Sequence, residues 1–196
     1  IFLLNGNSEI LNSCFVGKDH GGEQINNVPV LSEDEYLKSL SGPDEIKAYI
    51  AVGSPNIRRK IVENLNGYKQ FTFPKLIYPN TQFDKREGKV IIGAGTIICG
   101  GVIITTDIVI GSHVHVNINT TIGHDTTIGD FCTLSPGVHI SANVKLGNEV
   151  FVGTGAVILE RLSISDNVVI GAGSVVTKSI TEPGVYVGVP AQKLKK

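Results

Sequence analysis

A chain of 196 residues with 17 Lys and Arg against 18 Asp and Glu, and with 41% hydrophobic residues, can bury one sizeable core and a second small one. Its net charge of −1 offers no basic surface for a phosphate backbone or an anionic lipid, so neither nucleic acid nor membrane is expected as a partner. Three cysteines, Cys14, Cys99 and Cys132, are odd in number and lack a CxxC spacing, which argues against a disulfide framework or a zinc knuckle and for a reduced, cytoplasmic setting.

Residues 1–75 read as a small α/β unit. The stretches "SCFVGKD", "NNVPVL" and "AYIAVG" suggest strands. The last is followed by an amphipathic helix with Ile57, Ile61 and Leu65 on one face. Residues 90–106, "VIIGAGTIICGGVIITT", are uncharged over 17 residues, the length of a short membrane span. Their glycines, threonines and β-branched residues are poor material for a spanning helix, and the same pattern continues past Asp107.

That pattern has a period of six. Ile92, Ile98, Ile104, Ile110 and Val116 begin a series that runs unbroken to Ile170 and Val176, fifteen aliphatics in all. Glycine follows the aliphatic at Gly93, Gly111, Gly123, Gly129, Gly147, Gly153 and Gly171. Four residues after each aliphatic stands a small or modest side chain, such as Thr96, Val114, Thr120, Cys132 or Ala156. A helix repeats every ~3.6 residues and a strand every two, so a strict six specifies short strands joined by tight corners and wound into a parallel β-helix. Three hexads make a coil, and the fifteen make about five coils within residues 76–181, followed by a tail at 182–196.

The repeat also assigns the histidines a direction. His115 and His139 precede an aliphatic and face outward from a strand, whereas His113 and His124 lie at corners. No two of them stack from coil to coil, so no metal is expected. His124 differs because Asp125 follows it. A neutral imidazole with a reference pKa of ~6.5 can accept a proton at cytoplasmic pH, and an adjacent carboxylate can orient it and stabilise the imidazolium. The same pair also reads as a solvated corner residue beside a turn former. Cys132 stands at an inward position, where it packs.

The hexads, the segment "NINTTIGHDTTIGDF" and the tail "VVTKSITEPGVYVGVPAQKL" resemble the hexapeptide-repeat acyltransferases with a left-handed β-helix, a rare exception to right-handed crossovers. The resemblance covers roughly residues 76–194. With the α/β unit in front, the layout resembles the subfamily of bacterial sugar acetyltransferases that holds the sialic acid O-acetyltransferases and the N-acetyltransferases of nucleotide-linked amino sugars. Those proteins usually open with a strand and a glycine-rich loop. Here "NGN" at residues 5–7 is its remnant, or the loop lies upstream.

The resemblance implies a homotrimer with acetyl-CoA bound in a cleft between subunits and no metal. Outward aliphatics such as Ile91, Ile97 and Ile103 are expected on flat faces that a partner covers. His124 is implied as the general base and Asp125 as its partner, where many relatives carry Glu. Asn117 matches an active-site asparagine, and Thr133, Ala142, Thr154 and Ala172 match positions lining the coenzyme cleft. Lys18 and Asp19 fall near a pair that holds the nucleotide base, where many relatives have two acids, and Gly53 falls where backbone approaches the substrate. The implied activity is acetyl transfer to the amino group of a nucleotide-linked 4-amino-4,6-dideoxy sugar, in bacterial surface glycan biosynthesis. O-acetylation of sialic acid and a non-catalytic β-helix scaffold are the alternatives.

Overall fold

The computed structural model describes residues 15–17, 24–25, 28–32, 36–38 and 45–195. The chain divides into two compact units, Ile1–Glu45 and Ile46–Lys196. Within the first, β1 (Phe15–Gly17) runs parallel to β3 (Val28–Ser32), which pairs antiparallel with β2 (Gln24–Ile25).

The second unit opens with β4 (Ile46–Lys47), helix α1 (Pro55–Leu65) and β5 (Phe71–Thr72), the two strands pairing in parallel. It continues as a left-handed parallel β-solenoid of about 6 turns with three faces. The first face stacks β7 (Val90–Ile92), β10 (Ile108–Ile110), β13 (Thr127–Ile128), β16 (Lys145–Leu146) and β19 (Ser163–Ile164). The second runs from β6 (Leu76–Ile77) through β8 (Ile97–Ile98), β11 (His115–Val116), β14 (Thr133–Leu134), β17 (Phe151–Val152) and β20 (Val168–Ile170) to β22 (Gly184–Val187), with β23 (Gln192–Lys193) antiparallel at its end. The third holds β9 (Ile103–Ile104), β12 (Thr121–Ile122), β15 (His139–Ile140), β18 (Val157–Ile158) and β21 (Val175–Val176).

The period of six maps directly onto this architecture. Ile92, Ile110, Ile128, Leu146 and Ile164 pair one above the next, and all fifteen hexad aliphatics are buried. At the fourth place after each, every residue is buried except the half-buried Leu162. Each corner turns on one left-handed residue, recurring every six positions from Gly95 to Gly173 with φ between +55° and +72°. Glycine, Asp and Asn, the residues that tolerate this conformation, fill ten of those fourteen positions. The glycine after the aliphatic has a different cause. A Cβ at Gly93 would lie 2.5 Å from the carbonyl carbon of Gly111 in the next coil, so a side chain there would hold the coils apart.

The solenoid extends beyond the five coils of unbroken hexads. Leu76 pairs with Ile97 and Gln82 bridges Ile103, 21 residues apart rather than 18. Three extra residues in the corner between Gln82 and Val90 hide this first coil from a strict count.

Residues 46–75, expected in the N-terminal unit, pack as part of the solenoid unit. Helix α1 starts after Ser54, extended at φ −72° and ψ 119°, with Pro55 in the first turn. Its buried residues are Pro55, Arg58 and Val62. Ile57, expected inward, is 51% exposed, and Ile61 and Leu65 are half-buried. The helix is rotated because an arginine, Arg58, takes the innermost place.

Candidate active site

Gly123 and the residues after it form the corner between β12 and β13. A Cβ on Gly123 would lie 2.6 Å from the amide nitrogen of Ala142, so only glycine lets this corner seat against the next coil. The backbone is fixed from both sides: the Asn143 amide donates to the His124 carbonyl at 2.7 Å, and the Asp125 amide donates to the Thr106 carbonyl at 3.3 Å. Asp125 is the left-handed residue of the corner, at φ +58°, a conformation aspartate accepts.

This turn brings Asp125 Oδ2 to 2.7 Å from His124 Nδ1, with the side chains 60% and 56% exposed for His124 and Asp125. An ionised carboxylate only accepts, so this contact places a proton on Nδ1. Nε2 has no partner among the described residues. The corner therefore presents an exposed imidazole held by Asp125 through Nδ1.

The other corner histidine is built differently. His113 is buried, its ring stacked on Phe131 at 5.1 Å and edge-on to Phe73 at 5.0 Å. Burial and then the Arg58 charge lower its pKa. His115, expected outward on its strand, is also buried. Its Nε2 donates to the Ile50 carbonyl at 2.8 Å, and burial followed by Arg58 pushes its pKa down to about 4. Both rings lie beneath the residues that lead into and follow α1. Ile97, expected to await a partner, is only 5% exposed, on the face that Ile50 covers at His115. Ile91 and Ile103 remain open. His139 is exposed, with Nδ1 2.9 Å from Thr121 Oγ1.

Arg58, which the sequence reading passed over, joins α1 to the solenoid. Its side chain is fully buried and donates to carbonyls of the loop before α1 and of the solenoid. The signal was present: an arginine spaced three after Pro55 and four before Val62 shares their helix face. Burial lowers its pKa to about 10, so it stays cationic at neutral pH. Beside it, over the N-terminus of α1, lies a cavity of about 580 Å³ lined by Gly53, Ser54, Asn56, Glu149, Phe151 and Asn167 among others.

Residues 107–142 and 143–178 match the family model described as bacterial transferase hexapeptide (six repeats). No curated protein matches the chain in sequence. Among solved structures, the acetyltransferase domain of PglB from Neisseria gonorrhoeae FA1090, in complex with acetyl coenzyme A, is similar at 32% identity and a TM-score of 0.83, with 92% of this chain and 85% of that chain covered. WeeI from Acinetobacter baumannii AYE is similar at 31% identity and a TM-score of 0.83, with 92% and 85% covered. The chain belongs to the hexapeptide-repeat sugar acetyltransferases. PerB from Caulobacter crescentus, in complex with CoA and GDP-perosamine, is more distant, at 26% identity and a TM-score of 0.77 over 87% of this chain and 81% of that chain.

In this acetyltransferase the remaining expected site residues occupy two kinds of place. Ala142 lies one coil beyond His124 on the same edge of the prism, and its amide has no acceptor among the described residues. Asn117, Thr154 and Ala172 share the edge between the second and third faces, away from the His124 edge. Asn117 Nδ2 donates to the Leu134 carbonyl at 2.9 Å, and Thr154 and Ala172 are exposed. Thr133, expected to line the coenzyme cleft, is instead 2% exposed. Its hydroxyl donates to the Gly53 carbonyl at 2.7 Å and accepts from Arg58 at 2.9 Å, so it faces the α1 loop. Gly53 is exposed and its carbonyl turns inward. Lys18 and Asp19 lie outside the described residues. Cys132 is buried, its thiol donating to the Gly147 carbonyl and pushed up to about 12 by burial, which leaves it inert as a nucleophile.

Among the described residues no helix is long and apolar enough to cross a membrane, and no three His, Cys, Asp or Glu side chains converge as a metal site would require.

Proposed function

We propose that this acetyltransferase transfers the acetyl group of acetyl-CoA to the amine of a nucleotide-linked 4-amino-4,6-dideoxy sugar, with His124 as general base. The observation that carries the reading is the exposed His124–Asp125 pair, 2.7 Å apart, with Nε2 open to solvent. The neutral sugar amine attacks the thioester carbonyl carbon, and the carbonyl electrons move to oxygen. Nε2 accepts the proton shed by the new ammonium, while the Asp125 carboxylate stabilises the imidazolium. Collapse of the intermediate breaks the C–S bond, and the thiolate of CoA takes the proton back from the imidazolium. The free amide of Ala142, one coil away on the same edge, is the donor available for the oxyanion.

A similar chain was solved with acetyl coenzyme A and another with CoA and GDP-perosamine, which supports both substrate classes. The functional form is a homotrimer. His124 and Ala142 lie on one edge of the prism and Asn117, Thr154 and Ala172 on another, and a neighbouring subunit's edge set against the first would complete a cleft. The product suits assembly of a bacterial surface glycan.

The test offers UDP-, dTDP- and GDP-linked 4-amino-4,6-dideoxyhexoses beside free and CMP-linked sialic acid, following thiol release from acetyl-CoA. Turnover of an amino sugar is the expected result. Efficient turnover of sialic acid with none of the amino sugars would overturn it.

A further inference from the structure

Arg58 is the largest fully buried side chain of the protein's described residues, and among them no carboxylate faces it. A buried cation is costly unless every N–H finds an acceptor, and hydrocarbon of similar size would pack a helix onto a sheet at lower cost. What the guanidinium adds is direction. Nε donates to the His113 carbonyl at 2.8 Å. Nη1 donates to the carbonyls of Val52 at 2.6 Å and Gly53 at 3.3 Å, and Nη2 donates to the carbonyls of Phe131 at 2.7 Å and Cys132 at 2.9 Å and to Thr133 Oγ1 at 2.9 Å. All five donors of the planar fork are engaged, some bifurcated.

The acceptors reveal what the fork sets. On the solenoid side, His113 and Phe131 are left-handed at φ +55° and +59°, a conformation that bulky side chains hold only when their surroundings enforce it. On the loop side, the Val52 and Gly53 carbonyls both turn inward, and Thr133 Oγ1 holds Gly53 a second time at 2.7 Å. In a planar trans peptide the C=O and the following N–H point opposite ways. The amides of Gly53 and Ser54 therefore turn outward, without acceptors among the described residues, at the cavity over the N-terminus of α1.

We propose that Arg58 is a positioning residue: it fixes the Val52–Ser54 backbone so that its outward amides meet the nucleotide-linked sugar, and it ties that loop to the solenoid carrying the base. The inference rests on the proposed nucleotide-sugar substrate. Lysine keeps the charge but offers three donors from one point, so it cannot grip the loop and two coils together.

In Arg58→Lys, KM for the nucleotide amino sugar is expected to rise about tenfold or more while KM for acetyl-CoA stays within about twofold. Hydrogen exchange should quicken at the amides of residues 50–56 and leave those of Ile128 and Ile140 protected. Thr133→Val removes the second hold on Gly53 and one of the three acceptors of Arg58 Nη2 while leaving the guanidinium in place; it should shift both readouts the same way by less, which decides the matter if the lysine variant does not fold. Equal rises in both KM values, faster exchange spread over the solenoid, or wild-type behaviour in both variants would each overturn the proposal. If the wild type acetylates no nucleotide amino sugar, the proposed substrate falls, whereas the exchange measurement still reads whether Arg58 holds the loop.

Discussion

The buried His115 makes the stability of the α1 docking depend on pH. Its Nε2 donates to the Ile50 carbonyl at 2.8 Å and its Nδ1 lies 3.4 Å from Arg58 Nη1, so the ring fits only as a neutral acceptor toward a cation. Burial, and then the arginine, lower its pKa from 6.5 to about 4. Between those values the unfolded imidazole binds a proton that the folded one refuses. The resulting stabilisation is fully present above the unfolded pKa and is lost as pH falls toward the folded one. At ~1.36 kcal/mol per pKa unit, the whole window is worth about 3 kcal/mol, of which about 2 kcal/mol is gone by pH ~5. His115→Gln keeps a donor for Ile50 and an acceptor for Arg58 and does not titrate. Urea denaturation at equal protein concentration, between pH ~7.5 and ~5, should therefore show a steeper loss in the wild type than in the variant, by about 2 kcal/mol at the acid end. Parallel curves would show that His115 is not held neutral beneath the docked segment.

Three further outcomes are expected. His124→Ala should lower turnover by about 10²-fold or more with an unchanged unfolding midpoint, since the side chain is exposed, and Asp125→Asn should cost less; near-normal turnover in the alanine variant would make His124 a plain corner residue. Gly123→Ala drives a Cβ to 2.6 Å from the Ala142 amide nitrogen and should destabilise by about 1–3 kcal/mol in thermal unfolding while lowering activity. Sedimentation equilibrium at micromolar protein should return a trimer, with the open Ile91 and Val109 on adjacent strands of one face covered in it; a monomer would refute the assembly.

The solenoid was legible because its cause is local. Each hexad needs an inward aliphatic, an inward small residue and a left-handed corner, and Ile122, Thr126 and Asp125 supply all three within five residues. The His124–Asp125 pair was legible for the same reason: neighbours in sequence at a corner of known direction stay neighbours in space. The first coil was missed because three added residues near Asp84–Gly88 break the spacing while the strand pairing of Leu76 with Ile97 survives. The burial of His113, His115, Ile97 and Thr133 was missed because it depends on a segment some 40–80 positions away in sequence, and no periodicity encodes which outward face that segment covers. Arg58 was hidden by its residue type, since an arginine on a helix reads as solvated until its acceptors are seen.

The stacking of coils makes the prism a ruler graduated in single steps of ~4.8 Å, each step 18 residues long. Arg58 grips this ruler at two adjacent marks, the coils of His113 and of Phe131 to Thr133, and the His124 corner lies in the chain between them. Eighteen residues added after Val176, or removed from that end, would change the length of the solenoid without moving His124 relative to the Gly53 loop. Eighteen added between His113 and Phe131 would part the two marks by a whole graduation, farther than one guanidinium can bridge. The length of this solenoid can therefore drift while the spacing between His124 and the Gly53 loop stays quantised.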